Sequence, residues 1–145
     1  MSKTAFYDSL LLQLQALIEG EDDLIANLAN TSALLNLALE DLNWVGFYLL
    51  KSPNELVLGP FQGKPACLRI PVGKGVCGTA VASGQTQRVA DVHAFAGHIA
   101  CDGASNSEIV LPIFAQGRVV AVLDIDSPSL EDRKSTRLNS SHSRA

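Results

Sequence analysis

Three cysteines, Cys67, Cys77 and Cys101, are the residues of this chain most suited to covalent chemistry. They form no CxxC pair and no Cys/His cluster, so they point to thiol chemistry or to inert packed cysteine rather than to zinc. Cys101 opens a polar, glycine-bearing segment over residues 101–108. That segment reads as a loop, where solvent and substrate reach a thiol. Cys67 alternates with Leu68 on a short predicted strand and would also fit an inward-packed role. Cys77 opens a predicted helix, whose dipole and free N–H groups would lower a thiol pKa.

The second set is acidic. Asp124 and Asp126 stand two apart on a predicted strand, so both side chains leave one face while Leu123 and Ile125 leave the other. Paired carboxylates repel, and burial would raise at least one pKa, leaving a proton for catalysis near neutral pH. Glu108, at the start of the neighbouring hairpin strand, is placed to join them. Trp44 and Tyr48, four apart on the first strand, share a face and offer an apolar aromatic wall. His93 and His98 have no Cys or acid at metal spacing on a predicted helix, so no metal is expected. Lys74 in Gly73-Lys74-Gly75 lacks the full spacing of a phosphate loop.

These groups need a scaffold, and the chain supplies one. Residues 4–19 place Phe6, Leu10, Leu14, Leu17 and Ile18 near helical spacing, and Gly20 stops the run. Glu21, Asp22 and Asp23 supply the negative first turn of a second helix reaching about Glu40. The period then shifts to that of strands: 44–50, a turn at 52–54, 55–61, and a short strand at 66–70 ended by Pro71. A helix is expected over 76–82, closed by Gly84, then a brief strand at 88–90. A long loop with one helical turn covers 91–107. Strands 108–115 and 118–126 close the chain as a hairpin around Gln116-Gly117. The sum is an α+β domain on a mostly antiparallel sheet.

With 145 residues, 47% of them hydrophobic, the chain suffices for one domain with its own core. No apolar run approaches the roughly 20 residues of a membrane helix, and no signal-peptide pattern opens the chain, so a cytoplasmic protein is expected. In that compartment a disulfide would be transient and catalytic. Net charge is −4, but residues 1–131 carry 7 basic against 14 acidic side chains. Such a body repels phosphate backbones, which argues against nucleic acid as a partner. Residues 132–145 concentrate basic groups, lack apolar periodicity and look like an adapter-derived, disordered tail, with the natural C-terminus expected to be missing.

Taken together, five strings resemble the free methionine-(R)-sulfoxide reductases, which are GAF-fold enzymes. They are Gly59-Pro60-Phe61-Gln62-Gly63-Lys64 through Cys67; Gly73-Lys74-Gly75-Val76-Cys77-Gly78; Asp91-Val92-His93 through Gly97-His98-Ile99-Ala100-Cys101-Asp102; Ser105-Asn106-Ser107-Glu108-Ile109-Val110; and Val122-Leu123-Asp124-Ile125-Asp126-Ser127. The resemblance covers residues 1–128 and implies a further, native C-terminal helix, which is expected to be missing here. It implies a single GAF-like domain with the N-terminal helices on one face of the sheet. It also implies reduction of free L-methionine (R)-sulfoxide to methionine with no bound cofactor. By the same resemblance Cys101 attacks and becomes a sulfenic acid, Cys67 resolves it as a disulfide, and thioredoxin or another dithiol supplies electrons. Cys77 stays open as an alternative resolving thiol. Glu108, Asp124 and Asp126 would bind the sulfoxide oxygen or the substrate's ammonium group, and Trp44 and Tyr48 would contact its S-methyl group. Pairing as a homodimer through helices is a further expectation. The competing class is a GAF module that senses a small ligand or redox state without turnover.

Overall fold

The computed structural model describes residues 2–95, 97 and 105–129. Cys101, His98 and the 132–145 segment lie outside the described residues. Helix α1 (Lys3–Ile18) is capped by Ser2, whose hydroxyl accepts from the Ala5 N–H at 3.1 Å, and Gly20 beyond it takes a positive φ of 78°. Helix α2 (Leu24–Ala38) begins one step later than the acidic run suggested. Asp23 is its N-cap, accepting from the Ala26 N–H at 2.8 Å, so the acids precede the first turn instead of forming it. Their charge still faces the positive end of the helix dipole.

Six strands follow: β1 (Trp44–Ser52), β2 (Glu55–Gly63), β3 (Arg69–Pro71), β4 (Gln87–Val89), β5 (Ser107–Ala115) and β6 (Arg118–Ser127). They form one antiparallel sheet in the order β3-β2-β1-β6-β5-β4. Helix α3 (Gly75–Ser83) connects β3 to β4 and ends at Gly84 in the left-handed conformation. A short 3-10 turn, Val92–Ala94, follows β4.

The strand expected at 66–70 is displaced. Leu68 gives its carbonyl to the Leu58 N–H at 2.9 Å, and Cys67 gives its carbonyl to the Tyr48 hydroxyl at 2.9 Å. Cys67 sits in irregular chain ahead of β3, anchored there by the Tyr48 side chain.

Alternation along β1 and β6 separates two cores. Val45 and Ile125 pack with Leu10 and Leu35 of α1 and α2, and Phe47 and Ala121 continue that face. Trp44, Tyr48 and Val122 turn the other way, toward Val76, Cys77 and Ala80 of α3. The N-terminal helices therefore cover one face, and the other holds the candidate site residues. Among the described residues no helix is long and apolar enough to cross a membrane.

Candidate active site

On the α3 face of the sheet, strand pairing sets the candidate groups in register. β6 places Asp124 and Asp126 on this face; Asp126 lies opposite Glu108 of β5 and opposite Trp44 of β1. Asp124 lies opposite Gly46 of β1. The missing side chain at Gly46 matters, because a Cβ there would come within 2.2 Å of the Phe61 Cβ and 2.9 Å of the Trp44 ring. That space lets Trp44 stack on Phe61 at 5.2 Å between centroids and on Tyr48 at 5.9 Å. The polar ends of both site aromatics are satisfied. Trp44 Nε1 donates to the Lys64 carbonyl at 3.0 Å and the Tyr48 hydroxyl to the Cys67 carbonyl.

Trp44, Tyr48, Cys77, Glu108, Asp124 and Asp126 line one cavity, so among the described residues the structure brings together every sequence-derived candidate except Cys67. Cys67 is not among the lining residues, although its neighbour Ala66 is. It is disulfide-bonded, while Cys77 is a free, buried thiol. Cys101 falls outside the described residues. Lys74 and Ser105 also line the cavity. The Gly73-Lys74-Gly75 string signals no more than an incomplete phosphate loop, so it does not mark Lys74 as a cavity residue. Ser105 exchanges hydrogen bonds with Asn43 across 62 positions of chain, which no local pattern signals.

Electrostatics at the floor of the cavity favour protons. Asp124 is 5% exposed, and its carboxyl is pushed well above the usual range by burial, then by the charges of Asp126 and Glu108. Side-chain hydrogen bonds with Glu108 and Asp126 push it the same way. Cys77 Sγ lies 3.4 Å from Asp124 Oδ2 and 4.0 Å from Glu108 Oε2. The helix start was expected to lower the Cys77 pKa. The opposite holds, because burial and the neighbouring Asp124 and Glu108 charges raise it well above its ordinary value. Burial first, then the Asp124 charge, likewise raises Tyr48, which remains a phenol.

A curled antiparallel sheet with the N-terminal helices on one face and α3 on the other has the architecture of a GAF domain, and residues 23–139 match the GAF domain family. The chain is 63% identical over 127 residues to the free methionine-R-sulfoxide reductase of Escherichia coli (strain K12), across 88% of this chain and 76% of that one. It superposes with a TM-score of 0.85 and 44% identity on the free methionine-R-sulfoxide reductase from Neisseria meningitidis in complex with its substrate, over 100% of this chain and 95% of that chain. The reduced form of fRMsr from Staphylococcus aureus gives a TM-score of 0.82 at 55% identity, over 92% of this chain and 90% of that chain. Within the GAF domains, the chain belongs to the free methionine-R-sulfoxide reductase family.

Proposed function

We propose that this chain reduces free L-methionine (R)-sulfoxide to L-methionine, in the cytoplasm, by thiol chemistry centred on Cys101. The observation that carries the proposal is the cavity itself, where a buried carboxyl held above its usual pKa faces an aromatic wall. Membership of the reductase family supports the same reading. Trp44 and Tyr48 receive the S-methyl group. Asp124, Asp126 and Glu108 engage the sulfoxide oxygen and the ammonium group, and a protonated Asp124 makes the oxygen a better acceptor of electrons.

In the first step the Cys101 sulfur takes the oxygen. The substrate S–O bond breaks, a Cys101 S–O bond forms, methionine is released and Cys101 becomes a sulfenic acid. Condensation with the Cys67 thiol then forms the Cys67–Cys101 disulfide and releases the oxygen as water. Thioredoxin or another dithiol returns both thiols by exchange, supplying two electrons. The oxidised state of Cys67 beside a free Cys77 supports Cys67 as the resolving residue. The high Cys77 pKa argues the same way, since a neutral thiol resolves poorly.

The test is release of free methionine from racemic methionine sulfoxide in the presence of dithiothreitol. Turnover should stop when half of the racemate is consumed and should vanish in Cys101→Ser. Consumption of both epimers, or activity surviving that substitution, overturns the proposal. Peptide mapping after substrate exposure without reductant separates the resolving thiols: a Cys77–Cys101 bridge would replace Cys67 in the scheme.

A further inference from the structure

The residues of the aromatic wall also hold the chain that carries Cys67. Between the end of β2 at Gly63 and the start of β3 at Arg69, residues 64–68 run as irregular chain. Lys64, Pro65 and Leu68 are exposed, so side-chain packing pins this segment weakly. Two hydrogen bonds from β1 fix it instead. Trp44 Nε1 donates to the Lys64 carbonyl at 3.0 Å, and the Tyr48 hydroxyl donates to the Cys67 carbonyl at 2.9 Å. Both donors are firmly rooted. They are 2% and 3% exposed, their rings stack, and their strand is paired on both sides, with β2 and with β6. We propose that Tyr48, assisted by Trp44, is a positioning residue for the resolving step: it fixes the Cys67 backbone beside the cavity, where Ala66 already forms part of the lining, and so favours closure of the Cys67–Cys101 disulfide. The inference rests on the reading of Cys67 as the resolving thiol.

A free segment gives up backbone entropy each time its cysteine enters a disulfide. A segment already tied down in the dithiol state has lost that freedom beforehand, which raises the effective concentration of its thiol. The Tyr48 bond falls on the carbonyl of Cys67 itself, so side-chain rotation is the main freedom left to the sulfur. The choice of residue points the same way. A wall that only received a methyl group would need rings without donors, and Phe61, in the same stack, is such a ring. Trp44 and Tyr48 each carry a donor, and both donors reach the one segment that holds Cys67. Burial and the Asp124 charge keep the Tyr48 phenol protonated, so it donates throughout the neutral range.

The experiment uses the full chain and no substrate, so a lost substrate contact does not move its readout. Parent and variants are equilibrated without oxygen in mixtures of reduced and oxidised dithiothreitol. There the protein disulfide and reduced dithiothreitol exchange for the protein dithiol and oxidised dithiothreitol. Acid quenching, alkylation and mass spectrometry then measure the Cys67–Cys101 disulfide. Tyr48→Phe should shift the equilibrium toward the dithiol by about three- to tenfold, the scale of one intramolecular hydrogen bond. Tenfold corresponds to about 30 mV for this two-electron couple. Trp44→Phe, which removes the bond to Lys64, should shift it in the same direction. Leu35→Ala, on the opposite face of the sheet, should leave the equilibrium at the parent value. An unchanged equilibrium in Tyr48→Phe overturns the proposal. So does an equal shift in Leu35→Ala, which would show that lost stability alone suffices. Should Tyr48→Phe fail to fold, an unchanged equilibrium in Trp44→Phe overturns it instead. A parent disulfide that maps to Cys77–Cys101 overturns the resolving role of Cys67 itself, and the mapping separates that outcome from a Cys67–Cys101 disulfide that Tyr48 does not control.

Discussion

Asp124 is held in surroundings that penalise its charge. Its folded pKa lies well above the ordinary carboxylate value through burial, Asp126 and Glu108. The unfolded chain releases the same proton near pH 4. Between those two values the folded state binds more protons than the unfolded state. Its stability is therefore complete at the acid end and falls as pH rises through the folded pKa. Asp124→Asn keeps the shape and removes the ionisation. The variant should melt higher than the parent at pH 7 to 8 and lose the decline with pH, while its rate of sulfoxide reduction drops on the order of 10²- to 10⁴-fold, as for loss of a general acid. Parallel melting profiles from pH 4 to 8 would remove the argument. The Cys77 thiol obeys the same physics. Burial keeps it protonated, so iodoacetamide should leave it unmodified in the native oxidised protein and label it on denaturation. Mass spectrometry of the native adduct decides the point. The sequence revealed the pairing of Asp124 with Asp126, because strands repeat every two residues. It did not reveal the surroundings of Cys77, whose carboxylates lie 31 and 47 positions away.

At the scale of elements, the first strand is shaped by what Gly46 lacks. It sits between Trp44 and Tyr48 on the site face, and the stack of Trp44 on Phe61 occupies the space a side chain would need. Gly46→Ala puts a methyl group within 2.2 Å of the Phe61 Cβ. Overpacking of this kind costs about 1–3 kcal/mol. Because the displaced atoms belong to the aromatic wall, the variant should also show a higher KM for methionine sulfoxide with a smaller effect on kcat. An unaltered KM would show that the wall does not hold the substrate. The hairpins and both N-terminal helices were legible for local reasons: apolar residues at helical spacing, aromatic and β-branched runs, turn residues and the acidic run near the start of the second helix. The segment at 66–70 misled for an equally local reason. Ala66-Cys67-Leu68 alternates like a strand, but the partner of the Cys67 carbonyl is the Tyr48 hydroxyl, 19 residues upstream. Side chains that capture backbone groups across the fold leave no periodic trace.

Across the whole molecule the sheet separates stability from chemistry. Leu10, Leu35, Val45 and Ile125 join the N-terminal helices to one face, and the cavity opens on the other. The two cores share the β1 and β6 backbones but not their side chains. Removing packing from the helix face should therefore weaken the fold without reshaping the cavity. Leu35 is 8% exposed within that cluster. Leu35→Ala should cost about 2–5 kcal/mol and lower the melting temperature by roughly 5–15 °C. Below its own transition the variant should keep the parent KM and kcat, because residues in contact on one face couple strongly and those across the sheet do not. Trp44→Ala, on the opposite face, should raise KM at temperatures where the protein is fully folded. If Leu35→Ala changes KM as much as Trp44→Ala does, the sheet transmits packing defects from one side to the other, and the cavity is held in shape by the helix layer rather than by its own strands.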